Sequence, residues 1–208
     1  DTRFLSERYA QLVAEVLAGN GIPVVLSAAS SPTPSVSFAI RQGRHLGGVM
    51  ITASHNPASY NGIKYKGHFG GSVGTEATDF MESRLFKGRV RRIDLAQGRS
   101  RRLIEVRDIV RPHLRHLVRY VDMKKLAAAR MRVLIDSMNG TGAGHLAAIL
   151  AGTSLKVTAI NTERDTYFGG RPPEPNEVHL AATGEIVRKG RFDVGLATDG
   201  DADRLGVI

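Results

Sequence analysis

Residues 22–57 read IPVVLSAASSPTPSVSFAIRQGRHLGGVMITASHNP. Ile22 to Leu26 is a short apolar run rich in β-branched residues, the pattern of a buried strand. Thr33 followed by Pro34 is a helix-start signal, and the helix is expected to run from Pro34 to Arg44. Gly48 to Thr52 is a second apolar strand. The order strand, helix, strand predicts a parallel α/β layer.

The same grammar extends in both directions. Ser6 is a plausible N-cap for a helix whose apolar residues Tyr9, Leu12, Val13, Val16 and Leu17 recur at helical spacing, and Gly19 with Asn20-Gly21 supplies its stop. Gly62 to Lys66 reads as a short strand. Thr75 to Lys87 reads as a helix with Ala77, Phe80, Met81 and Leu85 on one face, ended by Gly88. The basic segment that follows has few apolar residues and contains Gly98, so an interdomain connection or an edge hairpin is expected there. The boundary is placed at Arg107, giving units 1–107 and 108–208.

The second unit opens on Asp108 as an N-cap. A helix is expected to bury Leu114, Leu117, Val118 and Val121 and to turn Arg111, Arg115 and Arg119 to solvent. Strands at Val133–Ile135, Leu155–Ile160 and Val194–Ala197 alternate with helices at Gly144–Leu150 and Glu177–Lys189. The alternation is again that of an α/β fold.

Composition narrows the function. Of 208 residues, 42% are hydrophobic and 24% charged, the balance of a globular protein. No apolar run approaches the roughly 20 residues of a membrane-spanning helix, and the opening Asp1-Thr2-Arg3 is unlike a signal peptide, so a cytoplasmic protein without membrane contact is expected. Cysteine is absent, so any metal must be held by oxygen or histidine. The net charge of +9 suits an anionic partner, and eleven Lys or Arg residues fall between Lys87 and Arg119. That stretch contains no Phe, Tyr or Trp on which bases could stack, and no nucleic-acid partner is expected.

Two loops carry the chemistry. Strand Gly48–Thr52 runs directly into Ala53-Ser54-His55-Asn56-Pro57, so Ser54 sits in a turn at a strand end, where a nucleophile can project into a cleft while the strand fixes its backbone; the spacing alone favours a capping serine. Asp199-Gly200-Asp201-Ala202-Asp203-Arg204 follows the strand ending at Ala197 and sets three carboxylates at alternate positions. In an extended segment they face one way. Three hard oxygen donors favour Mg²⁺, with a solvated acidic turn as the alternative. An EF-hand loop is excluded because its sixth position would be Arg204, not Gly, and a haloacid-dehalogenase reading lacks its Asp-x-Asp-x-Thr strand end. Gly140-Thr141-Gly142-Ala143-Gly144 lacks the spacing of a dinucleotide fingerprint.

Thr52-Ala53-Ser54-His55-Asn56-Pro57 followed by Asn61-Gly62-Ile63-Lys64 resembles the active-serine signature of the α-D-phosphohexomutases. The Asp199–Arg204 loop resembles that family's Asp-Gly-Asp-x-Asp-Arg metal loop, and Phe168-Gly169-Gly170-Arg171-Pro172 resembles a loop of its second domain. The resemblance implies two similar three-layer α/β/α domains, each a mixed sheet packed by helices. It implies phosphoryl transfer on a hexose phosphate through phosphoserine Ser54, a sugar bisphosphate intermediate, and a glucose 1,6-bisphosphate-type activator. Mg²⁺ would be held by Asp199, Asp201, Asp203 and the phosphate on Ser54. Lys64 would accept the proton of the attacking hydroxyl, Arg204 would offset charge on the phosphoryl group, and His55 and Asn56 would contact substrate. Neither the family's Glu-x-Ser-Gly-His sugar loop nor its Ser/Thr/Arg-rich phosphate loop occurs in this chain. The choice among glucose, mannose and glucosamine is therefore unreadable, the chain is expected to be truncated and to lack turnover alone, and a non-catalytic fragment is the alternative.

Overall fold

The computed structural model describes residues 1–208. The first unit contains α1 (Ser6–Gly19), β1 (Val24–Ser27), α2 (Thr33–Gln42), β2 (Gly47–Ile51), β3 (Ile63–Gly67), α3 (Thr75–Glu82), α4 (Leu95–Ser100) and β4 (Ile104–Arg107). The second contains α5 (Val110–Leu117), a 3₁₀ turn (Val118–Tyr120), α6 (Met123–Ala128), β5 (Arg132–Asp136), α7 (His145–Leu150), β6 (Lys156–Ile160), a 3₁₀ turn (Phe168–Gly170), α8 (Ala181–Lys189), β7 (Val194–Thr198) and β8 (Leu205–Val207).

Both units are α/β/α layers with mixed strand directions. In the second, the sheet order is β6-β5-β7-β8, with β5 parallel to both neighbours and β8 antiparallel to β7. Val133, Ile135 and Leu150 form its packed centre, flanked by Leu146, Leu155, Val157 and Leu196. Each fully buried aliphatic side chain there contributes roughly 1.5–3 kcal/mol.

The first unit departs from the simplest strand–helix–strand expectation. Strands β1 and β2 both form, but they belong to separate ladders: β1 pairs in parallel with β4, Val24 opposite Ile104, and β2 pairs antiparallel with β3, Gly47 opposite Gly67. The basic segment is therefore neither a connection nor a hairpin. It forms α4 and β4, and Ile104 packs with Ala14 and Ala18 of α1, covered by Val24, Leu26, Ile93 and Leu103. Buried Glu15 ties the segment down, accepting from the Leu95 amide at 3.1 Å and pairing with Arg92 Nε at 2.8 Å.

Other helix details differ for local reasons. Ser6 does not cap α1; Leu5 holds the cap position in a left-handed conformation, and Ser6 Oγ accepts from Asn61 Nδ2 at 2.9 Å. Tyr9 is exposed, while Ala14 and Ala18 are the apolar residues of α1 that are buried. Helix α3 ends at Glu82 and buries none of its residues; Phe80, Met81 and Leu85 are exposed. Asp108 does receive the Val110 and Arg111 amides as a cap does, at 2.9 and 3.1 Å. Helix α5 stops at Leu117, however, so Leu117 and Val121 stay exposed and His113 is its buried residue. The helix expected from Glu177 starts at Ala181, and no helix is long and apolar enough to cross a membrane.

Candidate active site

Strand β2 delivers Thr52, Ala53 and Ser54 to the boundary between the two units. Ser54 is buried and adopts φ 51°, a left-handed conformation uncommon outside glycine. Its amide donates to Thr52 Oγ1 at 2.8 Å, which closes the turn. From the other unit, β7 leads into the Asp199–Arg204 loop and β8 leaves it, so the loop is the tip of an antiparallel pair closed by Thr198 opposite Leu205. Asp199 Oδ1 accepts the Asp203 and Arg204 amides at 2.9 and 3.1 Å, which shapes the tip.

These two loops, 145 residues apart in sequence, meet. Ser54 Oγ donates to Asp199 Oδ2 at 3.1 Å. Around Asp201 the contact is denser: Oδ2 accepts from Thr33 Oγ1 at 2.8 Å, Lys64 Nζ at 2.9 Å and Thr52 Oγ1 at 3.3 Å, while its carbonyl accepts the Thr33 amide at 2.9 Å. Lys64 also lies 3.5 Å from Asp203 Oδ2. Gly200 is required by the same approach, because a Cβ there would stand 2.6 Å from the Ser54 carbonyl oxygen and 2.9 Å from Pro173.

The electrostatics are those of a crowded anionic site. Asp199 and Asp201 are fully buried, and Asp203 is more open. Burial, followed by the charge of Asp201, pushes the Asp199 carboxyl up to about 6. Burial acts on Asp201 in the same direction, but the hydrogen bonds from Lys64 and Thr33 outweigh it and hold that carboxyl below its usual range. Carboxylate oxygens of Asp199, Asp201 and Asp203 all lie within 4.8 Å of one another. Asp201 Oδ1 is buried and has no hydrogen-bond partner. A buried carboxylate oxygen left unpaired is costly, and hard oxygen donors gathered this way fit a small divalent cation.

The remaining site residues fall at different distances from this centre. Arg204 is half-exposed, and its nearest ionic neighbour is Asp203, 4.0 Å away. His55 Nδ1 is buried without a partner, and its Nε2 lies 3.9 Å from Glu174. Asn56 is exposed, and its carbonyl is bound by Arg3. His68, a potential acid or base by residue type, lies on the exposed loop after β3 and stacks edge-on with Phe69.

Sequence reasoning missed Arg3, Thr33 and Thr52 as parts of the site. Thr33 reads as a helix opener, which its position supports, but its hydroxyl serves Asp201 and caps nothing. Thr52 links Ser54 to Asp1 and Asp201 through one hydroxyl. Lys66 reads only as part of a strand. It is buried on β3, and burial, reinforced by the charge of Lys64, lowers its ammonium below the ordinary lysine range. Its position two residues from Lys64, on the same strand face, is the available signal.

Comparison with known proteins agrees with this geometry. Residues 1–92 match the pattern described as phosphoglucomutase/phosphomannomutase α/β/α domain I, and residues 111–208 match domain II. The chain is similar to a phosphoglucomutase/phosphomannomutase of Thermococcus kodakarensis, 34% identical over all of this chain and 45% of the relative. It is also similar to a phosphoglucosamine/phosphogalactosamine mutase of Sulfurisphaera tokodaii, 32% identical over 98% of this chain and 44% of the relative. A solved structure from Thermus thermophilus, described as a phosphomannomutase, superposes with a TM-score of 0.88 at 35% identity, covering all of this chain and 46% of its own. The chain thus spans less than half the length of these relatives.

Proposed function

This chain belongs to the phosphoglucomutase/phosphomannomutase family, and we propose that it supplies the phosphoserine and the metal loop of an enzyme that moves a phosphoryl group between two hydroxyls of a hexose phosphate. The observation that carries the reading is the meeting of Ser54 Oγ with Asp199 at 3.1 Å across the two units, beside the unpaired buried oxygen of Asp201.

In this reading Ser54 carries the transferred phosphoryl group, and both half-reactions pass through its Oγ. The first gives a sugar bisphosphate, the second returns the other phosphate to Ser54, and a glucose 1,6-bisphosphate-type compound starts the cycle. Asp199, Asp201 and Asp203 are the residues that would hold Mg²⁺, which supplies Lewis-acid stabilisation of charge on the phosphoryl oxygens. Lys64 is assigned to receive the proton of the attacking hydroxyl, for which its ammonium must first leave Asp201 and Asp203 and give up a proton. Arg204 contributes positive charge at the open side of the loop. His55 and Asn56 are placed as substrate contacts on the strength of the family resemblance of their motif.

The boundary between the units is placed between residues 107 and 108, supported by the pairing of Arg107 with Ser27 and by the capping role of Asp108. Turnover is assigned to the complete protein in the cytoplasm, and the identity of the hexose is left to groups outside residues 1–208; the chain alone is proposed to be inactive or nearly so.

The test supplies the complete protein with glucose 1-phosphate, Mg²⁺ and a catalytic amount of glucose 1,6-bisphosphate, and follows glucose 6-phosphate. Ser54→Ala is expected to abolish turnover, and Asp201→Ala to lose Mg²⁺ binding by calorimetry. Near-normal turnover in the serine variant, or parental metal affinity in the aspartate variant, would contradict the assignment.

A further inference from the structure

We infer that Arg3 is a positioning residue for phosphoryl transfer, holding the Ser54 turn in register with the aspartate loop without touching substrate. The inference rests on the reading of Ser54 as the phosphoryl carrier. Arg3 is fully buried. Its Nε donates to Asp1 Oδ2 at 2.9 Å; Nη1 donates to the Pro57 and Tyr60 carbonyls, each at 2.8 Å; Nη2 donates to the Ser54 carbonyl at 2.8 Å and the Asn56 carbonyl at 2.7 Å. All five N–H groups of the guanidinium are used.

The pattern is specific to one loop. The four carbonyls belong to residues 54–60, the segment that follows the nucleophile. Ser54 is held at a positive φ, which persists only where surrounding contacts over-determine it. Within the loop itself, the Asn56 amide bonds to the Ala53 carbonyl and the Tyr60 amide to the Pro57 carbonyl, both at 3.0 Å. These are single-turn contacts that do not by themselves fix the loop against the sheet.

Arg3 supplies that attachment from beneath and joins it to the second unit. The Phe168 ring lies 4.9 Å from the guanidinium carbon, and Phe168 is itself fully buried. One planar cation therefore touches the Ser54 turn on its edges and the second unit on its face. Burying this charge is costly unless every donor is satisfied and an anion is near, and Asp1 provides the anion. A lysine presents three donors from one point and cannot reach four carbonyls and a carboxylate in one plane.

The experiment compares the complete protein with Arg3→Lys and Asp1→Asn, the second of which leaves the guanidinium in place but weakens the acceptor that its Nε shares with the Thr52 hydroxyl. Amide exchange at Asn56 and Tyr60 is expected to quicken by about tenfold or more in Arg3→Lys, while the amides of β5, paired on both sides, stay at parental rates. In the same variant kcat is expected to fall on the order of a hundredfold with KM for the sugar phosphate nearly unchanged, as for a displaced nucleophile. Asp1→Asn should show the same pattern to a smaller degree. Parental loop exchange, a loosened loop with unchanged kcat, or equal quickening of β5 in both variants would overturn the inference. A parent protein that never carries phosphate on Ser54 would instead refute the function, and the exchange readout would still report on Arg3.

Discussion

Lys64 illustrates how one side chain can both complete a site and compete for it. Its ammonium lies 2.9 Å from Asp201 and 3.5 Å from Asp203, where a bound cation would also draw on those carboxylates. The lysine is about one-third exposed, so its hold is that of a partly screened pair. Lys64→Met is therefore predicted to tighten Mg²⁺ binding to the unphosphorylated protein by roughly 2- to 5-fold, the equivalent of ~0.4–1 kcal/mol, while turnover falls. Calorimetry showing unchanged or weaker affinity would contradict this. At this scale the sequence is informative wherever the site is contiguous: Ser54, Lys64 and the three aspartates sit in two short motifs whose residue types state their chemistry. Arg3, Thr33 and Thr52 are illegible because their partners lie on other elements, 51–57, 168 and 149 residues away. Nothing local to Asp1-Thr2-Arg3 tells that a guanidinium will gather the carbonyls of a distant turn.

Elements bring those residues together, and their fit allows little slack. The aspartate loop approaches the Ser54 turn backbone to backbone at Gly200, with no room for a methyl group. Gly200→Ala is predicted to cost about 1–3 kcal/mol of stability through overpacking and to lower kcat on the order of a hundredfold by moving the loop from Ser54; parental kcat would show that the contact is not needed for turnover. Helices α5 and α7 contribute a pH dependence. His113 is buried on α5 with its Nδ1 2.9 Å from Ser35 Oγ of α2, and His145 opens α7. Burial lowers both imidazoles below the ordinary histidine value, with His116 and His145 adding repulsion at His113, and Asp108 only partly offsetting burial at His145. Unfolded chains therefore bind more protons as pH falls through the histidine range near 6.5, so stability is full above that range and declines below it. The two histidines are predicted to lower the Tm between about pH 7.5 and 5.5, by roughly 2–4 °C per kcal/mol lost, against an opposite contribution from Asp199, whose raised carboxyl takes up a proton in the folded state near pH 6. The histidine contribution is read as a difference: His145→Gln should lose less Tm than the parent on acidification, and an equal or greater loss would refute this. Element order is readable from apolar runs, but β4 is not: only Ile104 of its four residues is buried, and its partner β1 lies 80 residues upstream. Helix α3 looks amphipathic in sequence, yet its apolar side finds no partner within the chain, a property that periodicity cannot reveal.

The whole molecule is two α/β/α units whose purpose is visible only where they face one another. Neither unit has the site alone: the first provides Ser54, Lys64, Thr33 and the Arg3 support, and the second provides the three carboxylates and Phe168. The class of fold and the two motifs are legible because strand ends and loops are adjacent in sequence; the closure between them is not, since it is set by packing across 145 residues. Relatives named for different sugar phosphates match this chain at 32–34% identity. The central claim is that Ser54 carries the phosphoryl group, and the most direct measurement is intact mass with peptide mapping of the complete protein after incubation with glucose 1,6-bisphosphate and Mg²⁺. The account predicts one phosphate, on the peptide containing Ser54, removed by subsequent glucose 1-phosphate or glucose 6-phosphate and absent from Ser54→Ala. Phosphate on any other residue, or turnover by a protein whose Ser54 never becomes phosphorylated, would contradict it.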